Sequence, residues 1–119
     1  MEKQTIRVIV AGGRDFFDYN LLKSKLDVLF SEKTVIVVSG MAKGADSLGE
    51  RYAHENKLLV SYFPALWNQH GTKAGFIRNE EMAKYADACV CFWDGESSGT
   101  KDMIQLAEQY NLKLRVINY

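Results

Sequence analysis

The sequence predicts an α/β fold, a doubly wound domain with a five-stranded parallel sheet and helices on both faces. Three observations lead there. Five β-branched apolar runs are nearly continuous in hydrophobicity, as strands covered on both faces require. Stripes of apolar residues at helical spacing separate them, and strict β-α alternation implies parallel strands joined by right-handed crossovers. Glycine-rich polar loops follow the first, second and fourth runs, at the strand ends where such sheets bind ligands.

The first strand is "TIRVIVA" (5–11), ending in the loop "AGGRDF". Asp18 then stands as an N-cap before Leu22, Leu26, Leu29 and Phe30, spaced i, i+4, i+7, i+8 on one helical face. "TVIVVS" (34–39) is the second strand, and "SGMAKGAD" leads into a second helix striped by Ala45, Leu48, Gly49, Tyr52 and Ala53. After the third strand, "LLVSYF" (58–63), runs the longest connection, "PALWNQHGTKAGFIRNEEM", which holds the single proline, Pro64. Connections of that length are often lids or binding segments. Met82, Tyr85 and Ala86 mark the third helix, "ADACVCFW" (86–93) the fourth strand, and "WDGESSGT" the loop beyond it. Met103, Ile104 and Ala107 stripe the fourth helix, and "LKLRVI" (112–117) closes the sheet. A 3-2-1-4-5 strand order brings all three glycine-rich loops together, so it is preferred to 2-1-3-4-5.

A length of 119 residues suits one domain, residues 1–119, with a real core. Fifteen basic and 15 acidic residues give zero formal charge, which speaks against a broad nucleic-acid surface. No run approaches the roughly 18 apolar residues of a membrane span, and "MEKQTIRVIVAGG" lacks a signal-peptide layout, so a cytoplasmic location is expected. Cys89 and Cys91, two apart on a strand, point to one side as small buried groups that suit a reducing compartment. No metal is expected.

The loops carry the candidate chemistry. Gly12 and Gly13 either form a tight turn or let a ligand approach the backbone, with Arg14 as a cation for phosphate and Asp15 as an acceptor. Ser39 and Gly40 open the second loop, where Gly40 and Gly44 bracket Lys43, and Asp46 binds ligand or favours the helix start. Neither loop is a Walker motif, and "AGGRDF" does not match the spaced dinucleotide fingerprint. In the third connection Arg78 is expected near a helix start that favours anions, and Trp67 either stacks on a base or plugs the loop. His70 lacks a partner at metal spacing, and His54 lies late in the second helix, so both read as structural. Asp94, Gly95, Ser98, Gly99 and Thr100 form a strand-to-helix cradle suited to phosphate.

"GGRDF", "SGMAKGAD", "GFIRNEEMAKYAD" and "WDGESSGTKDMIQLA", in that order over nearly the whole chain, resemble small YspA-like members of the SLOG superfamily. That superfamily is Rossmann-like and includes the LOG phosphoribohydrolases. The resemblance implies binding of a nucleotide or nucleotide-derived small molecule at the loops after strands 1, 2 and 4, as a sensor or sequestering module. LOG-type enzymes pair an Arg-Lys segment with a Pro-Gly-Gly-x-Gly-Thr-x-x-Glu loop whose Glu assists N-glycosidic cleavage. Here "RNEEM" aligns Arg78 with that arginine and Asn79 with the lysine, while counting from Thr100 puts Met103 at the glutamate. A thioether cannot accept a proton. Asp102 is rotated about 100° away on a helix, and Glu80, Glu81 and Asp94 are the remaining acidic substitutes. The alternatives are a nucleotide N-glycoside or phosphate-bond hydrolase, its catalytic residues unassigned, and a ligand-free interaction module. No cofactor is named. A homo-oligomer through the third and fourth helices is expected by analogy.

Overall fold

A computed structural model describes residues 5–119. Residues 1–4, the start of the N-terminal stretch that lacks a signal-peptide layout, lie outside them. The elements run β1 (Thr5–Gly12), α1 (Tyr19–Leu29), β2 (Thr34–Ser39), α2 (Ala45–Glu55), β3 (Leu59–Tyr62), α3 (Trp67–His70), a 3-10 turn (Gly71–Lys73), α4 (Ala74–Tyr85), β4 (Ala88–Trp93), α5 (Ser98–Gln109) and β5 (Lys113–Asn118). The sheet is ordered β3-β2-β1-β4-β5 with every neighbouring pair parallel, as expected.

Side chains of a strand alternate between faces, and the core divides accordingly. Val8 and Val10 of β1, with Val37, Val90 and Phe92, pack against Leu22 and Leu26 of α1 and Tyr52 and Ala53 of α2. Ile9 and Ala11, with Val38, Cys89 and Cys91, pack against Met82 and Ala83 of α4 and Met103 and Ala107 of α5. Fully burying a side chain of this size stabilises by about 1.5–3 kcal/mol, so the central strands anchor the sheet from both faces. The two thiols share one face, unpaired, with their sulfurs 3.5 Å apart. Helix starts follow their capping chemistry: Asp18 Oδ1 accepts from Leu21 N at 3.0 Å on α1, and Ser97 Oγ accepts from Thr100 N at 3.4 Å on α5.

The structure corrects three expectations. The edge strands are not covered on both faces: Leu59 of β3 is 72% exposed, and β5 alternates exposed Lys113 and Arg115 with half-buried Leu114 and Val116. β4 begins at Ala88 rather than residue 86, because Asp87 turns to accept from Arg7 N at 2.9 Å. The long third connection is partly helical, and α4 starts at Ala74, so Arg78 lies in its second turn and not at its N-terminus. Among the described residues, no helix is long and apolar enough to cross a membrane.

Candidate functional site

A cleft of about 500 Å³ opens where the C-terminal ends of β1 and β4 meet the starts of α2, α4 and α5. Its first wall is made by the loops after β1 and β2. Gly13 N donates to Phe92 O at 3.1 Å, and Ala45 N donates to Gly13 O at 3.2 Å, which ties β4, the first loop and α2 together. The joint demands glycine. A Cβ on Gly12 would stand 2.3 Å from Phe92 O, and one on Gly44, at φ +77°, would stand 2.2 Å from Gly13 O. Gly12, Gly13, Arg14 and Asp15 line the cleft, whereas Gly44 is buried behind them. Asp15 Oδ1 accepts from the Tyr119 hydroxyl at 2.7 Å. Burial, then this carboxylate, pushes the Tyr119 hydroxyl pKa well up.

The second loop supplies the buried charge. Asp46 lies at the cleft floor, 5% exposed, and its Oδ2 accepts from Ala42 N at 3.3 Å. Burial pushes its carboxyl up to about 6, against the opposing pull of that N–H and of the Arg78 charge. Ser39 and Gly40 do not line the cleft. Ser39 is buried and donates to Glu50 Oε2 at 2.6 Å, and the Gly40 carbonyl accepts from Arg78 Nη1. Lys43 does not line it either.

Arg78 does reach the cleft, although from the second turn of α4. Nη1 is held by Gly40 O, and Nε donates to Asn79 Oδ1 at 3.0 Å, while Nη2 lies beside Gly75. Burial lowers the Arg78 pKa, Asp46 opposes that, and the nearby Arg14 charge lowers it further. Two guanidinium groups thus share one cleft, and neither forms a salt bridge among the described residues. Three carboxylates share the cleft with them, Asp15, Asp46 and Asp94, each already accepting from a hydroxyl or a backbone N–H.

The far wall is the start of α5. Ser98, Gly99 and Thr100 line the cleft, and a Cβ on Gly99 would meet nothing within 4 Å. The N–H of Thr100 is taken by its cap, Ser97. Asp94 also lines the cleft, but its Oδ1 accepts from Glu96 N and Ser97 N at 2.9 Å each, and these N–H groups hold its carboxyl below the usual range. Gly95 stays outside the cleft at φ +87°, serving the turn.

Several lining residues come from the third connection, and Trp67 alone of the next four was singled out in the sequence. Trp67, Phe76, Thr72 and Gly75 project from the helical third connection, and Trp67 and Phe76 are each 50% exposed. A period-3.6 reading of residues 74–85 would have brought Gly75, Arg78, Asn79 and Met82, at i, i+3, i+4 and i+7, to the one face that lines the cleft. Asn79, at the position of the LOG lysine, is buried and donates to Asp102 Oδ2 at 3.1 Å and Gly99 O at 3.4 Å, stitching α4 to α5. Met103 is 1% exposed and packed in the core, where with Met82 it also lines the cleft from below. Glu80, Glu81 and Asp102 do not line the cleft, and neither do His54 and His70.

The sequence profile of YAcAr, the YspA, cpYpsA-related SLOG family, matches residues 6–70. The chain is 32% identical over 121 residues to the gene 61 protein of Mycobacterium phage D29, covering 95% of each. Its fold is similar, at a TM-score of 0.73 and 17% identity, to DNA processing protein A from Helicobacter pylori, described for its unique single-stranded DNA binding mode. The match covers 93% of this chain and 64% of that one. It overturns two expectations: a free nucleotide or nucleotide-derived small molecule as the ligand, and the lack of a nucleic-acid surface. The physical reason is that a net charge of zero averages every face and so says nothing about how the charges of any one face are placed.

Proposed function

This chain belongs to the YspA, cpYpsA-related SLOG family, and from that premise we propose that it binds single-stranded DNA through the cleft at the C-terminal edge of its sheet. One observation carries the reading: two unpaired arginines, Arg14 and Arg78, share the cleft with the half-exposed aromatic rings of Trp67 and Phe76. Phosphates are held by the guanidiniums and by the strand-to-helix loop at Ser98–Gly99, and bases stack on the rings. Single-strand sites combine these two elements, cations for the backbone and aromatic faces for bases of any sequence. The binding mode described for DNA processing protein A supports the choice of ligand. The cytoplasm is the proposed compartment, which the free thiols Cys89 and Cys91 support.

Fluorescence anisotropy with a labelled oligo-thymidylate tests this. Two phosphate contacts predict a slope of log affinity on log salt of about −1.4, at roughly −0.7 per single-strand phosphate. Arg78→Ala should weaken binding by about 1.5–3 kcal/mol, the scale of a charge-assisted hydrogen bond, and flatten the slope. No binding of the oligonucleotide at low salt would remove the proposal.

A further inference from the structure

Most of the glycines described here are explained by the fold. Gly12, Gly13, Gly40, Gly44 and Gly49 each have an atom closer than 3.0 Å to where a Cβ would stand, and Gly71 and Gly95 have positive φ. Gly99 and Gly75 have neither excuse, and of the two only Gly75 has neighbours within 4 Å of a Cβ. It is the second residue of α4, its φ is not positive, and a glycine there weakens the helix relative to alanine. A Cβ at Gly75 would lie at ordinary contact distance from two groups, 3.6 Å from Trp67 Cη2 and 3.7 Å from Arg78 Nη2. The fold would accept alanine, yet the space between indole and guanidinium is left empty.

We infer that Gly75 is the floor of a slot, walled by Trp67 and Arg78, that takes one unpaired nucleobase. The inference rests on the single-strand reading above and names the part of the strand that the cleft recognises. Trp67, half exposed and with Cη2 beside Gly75, supplies an aromatic ring for stacking, as in sites of this kind. Arg78 is anchored through Nη1 and Nε, and Nη2 is the nitrogen beside Gly75, so the guanidinium stands ready without losing side-chain freedom on binding. A guanidinium also packs favourably over a π face. A base in a duplex has both faces covered by its neighbours in the stack and cannot enter. The slot therefore favours single strands over duplex with no reading of base edges.

The test compares oligo-thymidylate with an abasic strand of equal length, on the wild type and Gly75→Ala. The wild type should prefer the base-bearing strand about tenfold, the scale of one stacked base. Gly75→Ala should lose most of that preference, keeping only what Phe76 contributes, with unchanged affinity for the abasic strand, and its Tm should equal or exceed that of the wild type. A 2-aminopurine placed in the strand should be quenched by the wild type and not by Gly75→Ala. If Gly75→Ala keeps the preference for bases, or if its Tm falls, the slot is overturned while phosphate binding stands. If the wild type binds neither strand, the single-strand reading itself fails, and the slot with it.

Discussion

The two walls of the cleft are built from the same residue type put to opposite uses. On the wall formed by the loops after β1 and β2, glycine is a requirement of packing. A Cβ at Gly44 would sit 2.2 Å from Gly13 O, and one at Gly40 would sit 2.8 Å from Arg78 Nη1 and 2.9 Å from Asp46 Oδ2. On the wall formed by α4 and α5, glycine leaves room: the nearest atoms to a Cβ at Gly75 are 3.6 Å away, and at Gly99 there is nothing within 4 Å. The packed wall fixes Arg14, Asp46 and the anchor for Arg78, and the open wall gives a ligand access to backbone. A rigid side that places charge, facing a bare side that admits a partner, is how a site is kept in order before its ligand arrives.

The largest expected effect tests the floor between the walls. Met103 is buried among Met82, Ala107 and the strand side chains, so Met103→Glu should lose about 3–5 kcal/mol, the cost of an uncompensated buried charge. Chemical denaturation measures it. A stable Met103→Glu protein would mean that the floor belongs to the open side. Gly44→Ala follows, at about 3 kcal/mol, from overpacking against the Gly13 carbonyl together with a left-handed φ of +77°. An unchanged unfolding midpoint would break the distinction between the walls at its root.

Much of this was legible in the residues. Central strands read correctly because burial on both faces makes them continuously apolar, and the strand order followed from where the three polar loops must meet. The edge strands kept enough Leu and Val to look the same, although water covers one of their faces. Trp67–Lys73 was hidden because a one-turn helix and a 3-10 turn lack an apolar stripe of their own. That omission displaced Arg78 by more than a turn. The role of each glycine was also illegible, since a sequence does not say what stands beside a missing Cβ. Net charge was uninformative for a related reason: it counts Lys113 and Arg115, on an edge strand, together with Arg14, Arg78, Asp15, Asp46 and Asp94 in the cleft.

Asp46 offers a titration of the packed wall. Its carboxyl titrates at about 6 in the folded protein and near 3.8 unfolded. Between those values the folded state holds the extra proton, so this contribution is fully present below about pH 4 and is lost as pH rises through 6. The difference of about two pH units corresponds to about 2–3 kcal/mol. Asp46→Asn should therefore gain stability on the wild type as pH rises from about 4 to 6. Parallel curves for the two proteins across that window would mean that Asp46 is not desolvated, and that the packed wall is looser than its glycines imply.

The smallest effect on stability belongs to Gly99, and its smallness is the point. Gly99 is the second residue of α5, where alanine is the better helix former and where no atom opposes a Cβ. Gly99→Ala should shift stability by no more than about 0.5 kcal/mol, the ordinary range for a surface change, in contrast to Gly44→Ala. Oligo-thymidylate binding should nevertheless weaken, because the methyl group stands between a phosphate and the start of the helix. The abasic strand should be affected equally, since a phosphate contact is indifferent to the base. If Gly99→Ala leaves both stability and binding as they were, the open wall is only unfilled surface, and the phosphate must be held by Arg14 and Arg78 alone.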